Sequence, residues 1–359
     1  TVIRTKVRGI YSEVNEIFKG TATQDLLDKY KPVMKGLMTA REMASITKER
    51  SRRNGTMELE SNEPKFILNE DGICIDVQPR QTGESEQMIE QLMVTANQAA
   101  AKLAEKEHLP FVYRVHENPK SLKIETLIEL VSSLGLDFSG IKKENPSTAE
   151  FAAILDQAVG TPAQKIVSYQ ILRTMEKARY ATDPLGHFGL ALADYCHYTS
   201  PIRRYPDTAI HRILTAFVNK KGRNYINEHY ATYAQDSATN SSEAEVKALV
   251  AERSAEDCYM AEYMTQHIGE QFDGIISGVT NRGLFVQLTN SVEGFVPIDT
   301  FVDSEFEFDG MMTQVDRLTG DKLTIGMPIC IQVVAADVSS GRIDFMPASE
   351  VGKIIKENK

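Results

Sequence analysis

No stretch of this sequence approaches the roughly eighteen consecutive apolar residues that a membrane-spanning helix needs, so no span is predicted. The opening segment Thr1–Val14 is polar, has no apolar signal-peptide core and does not begin with methionine, as expected of a piece of a longer chain. Cysteine is scarce. Cys74, Cys196, Cys258 and Cys330 lie far apart, which excludes a close zinc-binding pair and a disulfide scaffold. Idle thiols in a reducing cytoplasm are the expectation. Positive charge is also in deficit: 40 Lys and Arg face 50 Asp and Glu, a net of −10. Phosphate binding is driven by Lys and Arg, so general coating of nucleic acid is disfavoured while a local basic site stays open. No internal repeat or low-complexity tract is present. What remains is ordinary globular composition, 42% hydrophobic and 25% charged over 359 residues, enough for two domains.

Up to about Gly269 the periodicity is mostly helical, and beyond it short strands alternate with turns. Lys65–Gln78 contains two alternating apolar runs joined by Asp71-Gly72, a hairpin signal. From Glu84 to about His108, Ile89, Leu92, Met93, Ala96, Ala100 and Leu103 recur at helical spacing. Glu90 and Asn97 fall on one side of that helix at the edge of its apolar stripe, as rim hydrogen-bonders or facing a cleft. Further helices are predicted over Ser121–Leu134 and Pro162–Arg179. A long one is expected to open on a capping box at Ser242 and Glu245 and run toward Gly269. Five short strands follow in Phe272–Ile276, Leu284–Leu288, Glu293–Val296, Met327–Ala335 and Arg342–Phe345, which suits a closed OB-fold β-barrel. The predicted class is α+β, a helix-rich domain and then a five-stranded barrel. Between Ile268 and Pro347 twelve acids face four bases (Arg282, Arg317, Lys322, Arg342), a net of −8. Nearly all the negative excess therefore sits in the barrel, and the helical part is free to hold a concentrated positive site.

The densest chemistry lies in His187–Arg212, HFGLALADYCHYTSPIRRYPDTAIHR. Three His, three Tyr (Tyr195, Tyr198, Tyr205) and three Arg (Arg203, Arg204, Arg212) share twenty-six residues. Pro201 and Pro206 bracket Ile202-Arg203-Arg204-Tyr205 and stiffen the loop. Asp207 sits at the positive end of the helix that follows. Guanidinium forks match phosphate oxygens and tyrosine faces stack on bases, so such a loop suits a phosphodiester. The alternative is a surface loop whose arginines pair with nearby carboxylates.

This segment, with its TSPIRRYPD core, resembles the signature of the ribonuclease II / ribonuclease R (RNB) family of processive exoribonucleases. The resemblance extends to Arg52–Glu60, to Met88–Gln91 with Ala96-Asn97, and to Phe111–Glu117. The barrel resembles the family's S-one-type RNA-binding module, and the excursion from Phe306 to Gly320 is similar to the ribonuclease R branch. The resemblance implies a C-terminal portion of an RNB catalytic domain over 1–268, an RNA-binding barrel over 269–348 and a short basic tail over 349–359. It implies hydrolysis of single-stranded RNA from its 3′ end to nucleoside 5′-monophosphates with magnesium, by a cytoplasmic monomer. Arg203 and Arg204 match arginines that hold the terminal phosphates, and Glu90 an acidic residue near the catalytic centre. Asn97, Tyr195, His187, Tyr205, Arg114 and His116 match positions lining the RNA channel. In the barrel Phe285 matches a base-stacking aromatic, Phe272 lies near the same face, and Arg282 and Arg342 are its candidate cations.

The departures matter as well. Leu59 stands where relatives often have an aromatic, Arg282 where a second barrel aromatic is usual and Pro297 where a histidine often sits. The Lys-rich tail is reduced to Lys353, Lys356 and Lys359. Two-metal hydrolysis needs clustered oxygen ligands. The family's aspartate cluster lies ahead of the stretch where this chain begins, and no Asp-Asp, Asp-X-Asp or His-Glu-X-X-His replaces it. No metal ligand is assigned, and the isolated chain is predicted inactive. A non-catalytic RNA-binding protein that keeps the channel and barrel is the alternative. A weaker third reading is an acidic barrel docking a basic partner.

Overall fold

The computed structural model describes residues 2–57, 63–137, 140–142, 144, 146–161, 163–310 and 312–349. Leu59 and the tail lysines therefore lie outside the described residues. The helices are α1 (Tyr11–Lys19), α2 (Gln24–Tyr30), α3 (Met34–Arg53), α4 (Glu84–Lys106), α5 (Ser121–Ser133), α6 (Thr148–Ala158), α7 (Gln164–Thr174), α8 (Tyr205–Val218) and α9 (Arg223–Thr265). Among the described residues no helix is long and apolar enough to cross a membrane. The strands are β1 (Pro64–Leu68), β2 (Cys74–Pro79), β3 (Tyr113–Val115) and β4 (Arg179–Ala181), then β5 (Gln271–Thr280), β6 (Gly283–Leu288) and β7 (Glu293–Pro297). After these come β8 (Phe306–Phe308), β9 (Thr313–Asp316), β10 (Lys322–Thr324), β11 (Pro328–Asp337) and β12 (Arg342–Pro347).

The chain forms two compact units. One holds residues 1–59, 81–159 and 169–245, and the other 60–80, 160–168 and 246–359. In the first, α4 is shared between two cores, because its apolar positions fill both ends of the helix. Near its start Met88 packs with Val14, Ile17, Phe18, Tyr30 and Ala44. Near its end Ala100, Ala101 and Ala104 admit close approach of Phe111, Val112 and Tyr113, of Ile210 and Ile213 on α8, and of Ile226 and Ala234 on α9.

Two helix boundaries differ from expectation. The segment expected to be helical as far as Arg179 stops at Thr174, because Arg179–Ala181 leaves to pair antiparallel with Tyr113–Val115. The long helix begins at Arg223, and Ser242 and Glu245 lie inside it. The Ser242 hydroxyl donates to the Ala238 carbonyl at 2.8 Å and accepts from the Tyr180 amide at 2.9 Å. Glu245 is ion-paired with Arg114. The residue types of a capping box here fasten β3 and β4 to α9.

In the second unit the β1–β2 hairpin turns through Asn69–Gly72, where the Asn69 side chain accepts from the Asp71 and Ile73 amides. The hairpin is tied to the end of α9 and the residue after it: Glu262 accepts from the Cys74 amide at 2.8 Å and Gln266 donates to the Cys74 carbonyl at 3.1 Å. The barrel closes in the order β11-β12-β7-β6-β5, with β12 parallel to β7 and the other pairs antiparallel. Closure leaves no free edge, and Ile276, Leu284, Val286, Val296, Ile331, Val333 and Phe345 fill the interior. Between β7 and β11 the excursion folds as a three-stranded sheet, β10-β9-β8. Its acids shape turns. The Asp316 carboxylate accepts from the Glu305 and Leu318 amides, both at 3.0 Å, and from the Thr319 hydroxyl. Asp309 accepts from the Met312 and Thr313 amides, and Glu307 pairs with Arg317.

Candidate functional site

The loop Ser200–Arg204 joins the buried stretch Asp194–His197 to α8. Two neutralising arrangements set its shape. The Arg203 and Arg204 amides both donate to the Ser200 carbonyl, at 3.3 and 3.1 Å, which closes a tight turn. Asp207, fully buried in the first turn of α8, accepts from the Ser200 amide and so draws the loop back onto the helix N-terminus. Arg203 is then exposed and Arg204 half-exposed. Among the described residues, neither guanidinium has a hydrogen-bond acceptor or a carboxylate partner. The surface ion-pair alternative therefore does not hold for this pair.

Asn97 supports the loop from α4. Its side-chain oxygen accepts from the Tyr198 amide at 2.8 Å and the Thr199 hydroxyl at 3.2 Å. Its nitrogen donates to the Tyr195 hydroxyl at 3.2 Å. The helix-rim reading of Asn97 thus resolves into a buried bracket for the segment entering the loop. Glu90, two turns earlier on α4, is exposed and makes no hydrogen bond or ion pair among the described residues.

Behind the loop runs a continuous row of rings. His116 and His187 meet edge to face at 5.2 Å, His187 and Tyr195 at 5.2 Å, Tyr195 and His197 at 5.7 Å. His197 Nδ1 and the Tyr180 hydroxyl lie 2.9 Å apart. The Arg114 guanidinium lies over the Tyr180 ring at 4.7 Å while paired with Glu245, so its charge is already neutralised. Burial pushes His187 down to about 3, helped by the neighbouring His116 and Arg114. It pushes His197 down to about 2, helped by Arg204, Arg114, His187 and Arg203. Both rings are neutral at neutral pH. The free positive charge on the loop itself is therefore that of Arg203 and Arg204. Burial raises the Asp207 carboxyl above the usual aspartate range, opposed by the Ser200 amide and Arg204. Tyr205 is exposed, its hydroxyl 3.1 Å from that of Tyr233.

Donor types near the loop are imidazoles, phenols, an amide and separate carboxylates, of which Asp207 holds the Ser200 amide and Glu245 is paired with Arg114. A hard divalent cation takes several oxygen ligands, mostly carboxylates. Among the described residues no three His, Cys, Asp or Glu side chains form a metal-holding group. The donor set does not fit magnesium. What the loop offers chemically is two unneutralised guanidinium forks on a rigid turn, suited to phosphate oxygens.

In the barrel, taken by itself, Phe285 is exposed and packs at 5.2 Å against Phe295, its partner across β6 and β7. Arg282 is exposed at the β5–β6 turn. Phe272 meets His267 edge to face at 5.8 Å, and Arg342 is paired with Asp344 at 2.8 Å. Of the barrel's two candidate cations, only Arg282 lacks a carboxylate partner among the described residues. Sequence reasoning did not single out Tyr180, Tyr233 or Glu245 as parts of the site. Only Glu245 carried a local signal, and that signal looked like a helix cap.

A helical domain with an unpaired arginine loop, followed in the chain by an OB-type barrel, defines the class of protein. The RNB domain matches residues 1–220 and the S1 RNA binding domain residues 265–346. The chain belongs to the RNB family. Ribonuclease R 1 of Lactococcus lactis subsp. lactis (strain IL1403) is 34% identical over 346 residues, 96% of this chain and 42% of that protein. Ribonuclease R of Thermotoga maritima is 33% identical over 356 residues, 98% of this chain and 49% of that protein. The chain thus spans about half the length of the curated relatives it matches. The structure of Mycoplasma genitalium RNase R in complex with ribose methylated single-stranded RNA superposes with a TM-score of 0.87 at 27% identity. That match covers 94% of this chain and 52% of the other.

Proposed function

We propose that this chain is part of a processive 3′→5′ exoribonuclease that hydrolyses single-stranded RNA to nucleoside 5′-monophosphates with magnesium. Residues 1–268 would be the latter part of its catalytic domain and 269–348 its RNA-binding barrel, in a cytoplasmic monomer. The observation that carries the reading is the pair Arg203 and Arg204, held on a turn closed by Asp207 and left without internal partners. In this reading the pair grips the terminal phosphates. Glu90 lies toward the reacting end, and Asn97, His116, His187, Tyr195, Tyr205 and Arg114 shape the wall of the strand's path. Phe285 and Phe272 offer faces for bases in the barrel, with Arg282 and Arg342 as its cations. The RNA-bound structure of the Mycoplasma genitalium relative supports single-stranded RNA as the ligand.

The described residues do not fit magnesium, whose ligands in this reading come from the rest of the parent enzyme. Phosphate-holding arginines without metal ligands cannot generate the nucleophile, so the isolated chain binds RNA without cutting it. The same observation favours a second reading, a non-catalytic RNA-binding protein. The reading frame upstream of Thr1 separates them: an aspartate cluster marks the enzyme, and its absence the binder. The biochemical test is fluorescence anisotropy of a labelled single strand, with a gel assay for mononucleotide release. Arg203→Ala and Arg204→Ala should each weaken binding. Unchanged binding in both would overturn the arginine assignment, and magnesium-dependent release abolished by Arg203→Ala would overturn the inactivity.

A further inference from the structure

Along α8, away from the arginine loop, Thr208, Arg212 and Thr215 fall on one stripe and form a wall of a groove of about 380 Å³. Its opposite wall is Lys221, Tyr225 and Tyr230, from the turn into α9 and its first turns. No acidic residue lines it, and the first turn of α9 carries none. Glu107, the carboxylate recorded beside that turn, is taken by Arg223 at 3.3 Å. Arg212 and Lys221 have no carboxylate partner among the described residues, and instead both rest on aromatic rings. The Arg212 guanidinium donates to the Tyr233 hydroxyl at 3.0 Å and lies 5.6 Å from that ring's centre. The Lys221 ammonium lies 5.4 Å from the centre of Tyr225. Tyr225 is itself stacked at 3.9 Å on His229, which fixes the ring.

We propose that this groove binds a nucleoside 5′-monophosphate, with its phosphate between Arg212 and Lys221 and its base on Tyr225. Cations parked on π faces without counter-ions are held weakly and are available to an anion. As Lys221 moves to the phosphate it leaves a tyrosine ring that the His229 stack holds in place. The volume of about 380 Å³ is that of a small-ligand site, in a groove open to solvent on one side. The assignment stands on this groove alone and does not depend on the exonuclease reading, although that reaction would release this class of molecule.

The test is calorimetric titration of the 359-residue chain with AMP, adenosine or inorganic phosphate. Saturable AMP binding is expected, with adenosine and phosphate each weaker by about tenfold or more, the scale of one charge-assisted hydrogen bond. Lys221→Gln and Arg212→Gln should each weaken AMP about tenfold on the same scale. Glutamine at 212 keeps a donor for Tyr233, and melting temperature checks the fold. In the double variant Arg203→Ala/Arg204→Ala the saturable AMP site that Lys221→Gln weakens should persist, because neither loop arginine lines the groove. No saturable AMP binding would overturn the proposal. So would binding lost only in the arginine-loop variant, phosphate binding as tightly as AMP, or displacement of AMP by an unphosphorylated oligoribonucleotide at equal nucleotide concentration.

Discussion

Replacing Asn97 by alanine removes three hydrogen bonds from a side chain that is 3% exposed. The groups left behind do not suffer equally. The Thr199 hydroxyl is half-buried and can rotate toward water. The Tyr195 hydroxyl loses its recorded donor. The Tyr198 amide is fixed in the backbone and has no other acceptor among the described residues. Leaving one such donor unsatisfied costs roughly 1–3 kcal/mol, and the space vacated by the carboxamide adds to that. A local loss of about 3 kcal/mol is a large fraction of the 5–15 kcal/mol typical of a domain.

The sharpest assay is amide hydrogen exchange at Tyr198. A loss of about 3 kcal/mol in local opening free energy speeds exchange on the order of a hundredfold. Because Tyr198 and Thr199 lead directly into Ser200, RNA affinity should fall with it although Asn97 need not touch the ligand. A double-mutant cycle with Tyr195→Phe isolates the Asn97–Tyr195 bond, expected to couple by about 1 kcal/mol. Exchange at Tyr198 and urea stability both within about 0.5 kcal/mol of the parent would refute the reasoning, because Asn97 would then not be holding the entrance to the loop.

Other outcomes follow from the same geometry. Arg203→Ala and Arg204→Ala should leave urea stability within about 0.5 kcal/mol of the parent yet flatten the salt dependence of RNA binding by about one unit of slope per lost phosphate contact. Asp207 has a folded pKa above its unfolded one, so its contribution favours folding at low pH and is lost as pH rises through the folded value. Asp207→Asn should accordingly be more stable than the parent at neutral pH, an advantage that disappears on acidification to the ordinary aspartate range. For His187 and His197 the folded values are depressed, so their contribution is full above about 6.5 and is lost as pH falls toward about 3 and about 2. Histidine Cε1 proton shifts should show both rings still neutral at pH 5, and a midpoint near 6.5 for either would contradict the burial argument. In the barrel, a methyl at Gly294 would meet the Phe345 ring, and Gly294→Ala should destabilise by about 1–3 kcal/mol in urea.

Much of the barrel was legible because its signals are local. Alternating apolar residues set the strands, and closure follows from five such strands with no edge protection. The helix of Glu84–Lys106 was legible for a similar reason, its stripe being unbroken. The start of α9 was not. Its 43 residues pack on different partners along their length and carry no single apolar stripe, so the one conspicuous local pattern, Ser242 with Glu245, marked a helix start where the chain uses it for tertiary contacts. At the loop, the density of arginine, tyrosine and proline marked the place. Of the brackets that shape it, Tyr180 on β4 lies 17 residues before its partner His197 and Asn97 on α4 lies 101 residues before its partner Tyr198, and no periodicity reports either pairing.

Those brackets explain why two arginines can stay unpaired on a protein with ten more acids than bases. The turn is held by groups that carry no net positive charge: a buried carboxylate on a backbone amide, a carboxamide, and imidazoles kept neutral by burial. Arg114, the cation within the ring row, already has Glu245. Apart from the pull of Arg204 on the buried Asp207 carboxyl, no hydrogen bond or ion pair among the described residues uses either guanidinium of the loop. Had the loop been stabilised by ion pairs, a ligand phosphate would have to displace a carboxylate and strand it, at a cost comparable to what the new contact supplies. Within the first unit neither guanidinium has a carboxylate partner among the described residues, so the pair keeps a local field that the net charge of the chain conceals.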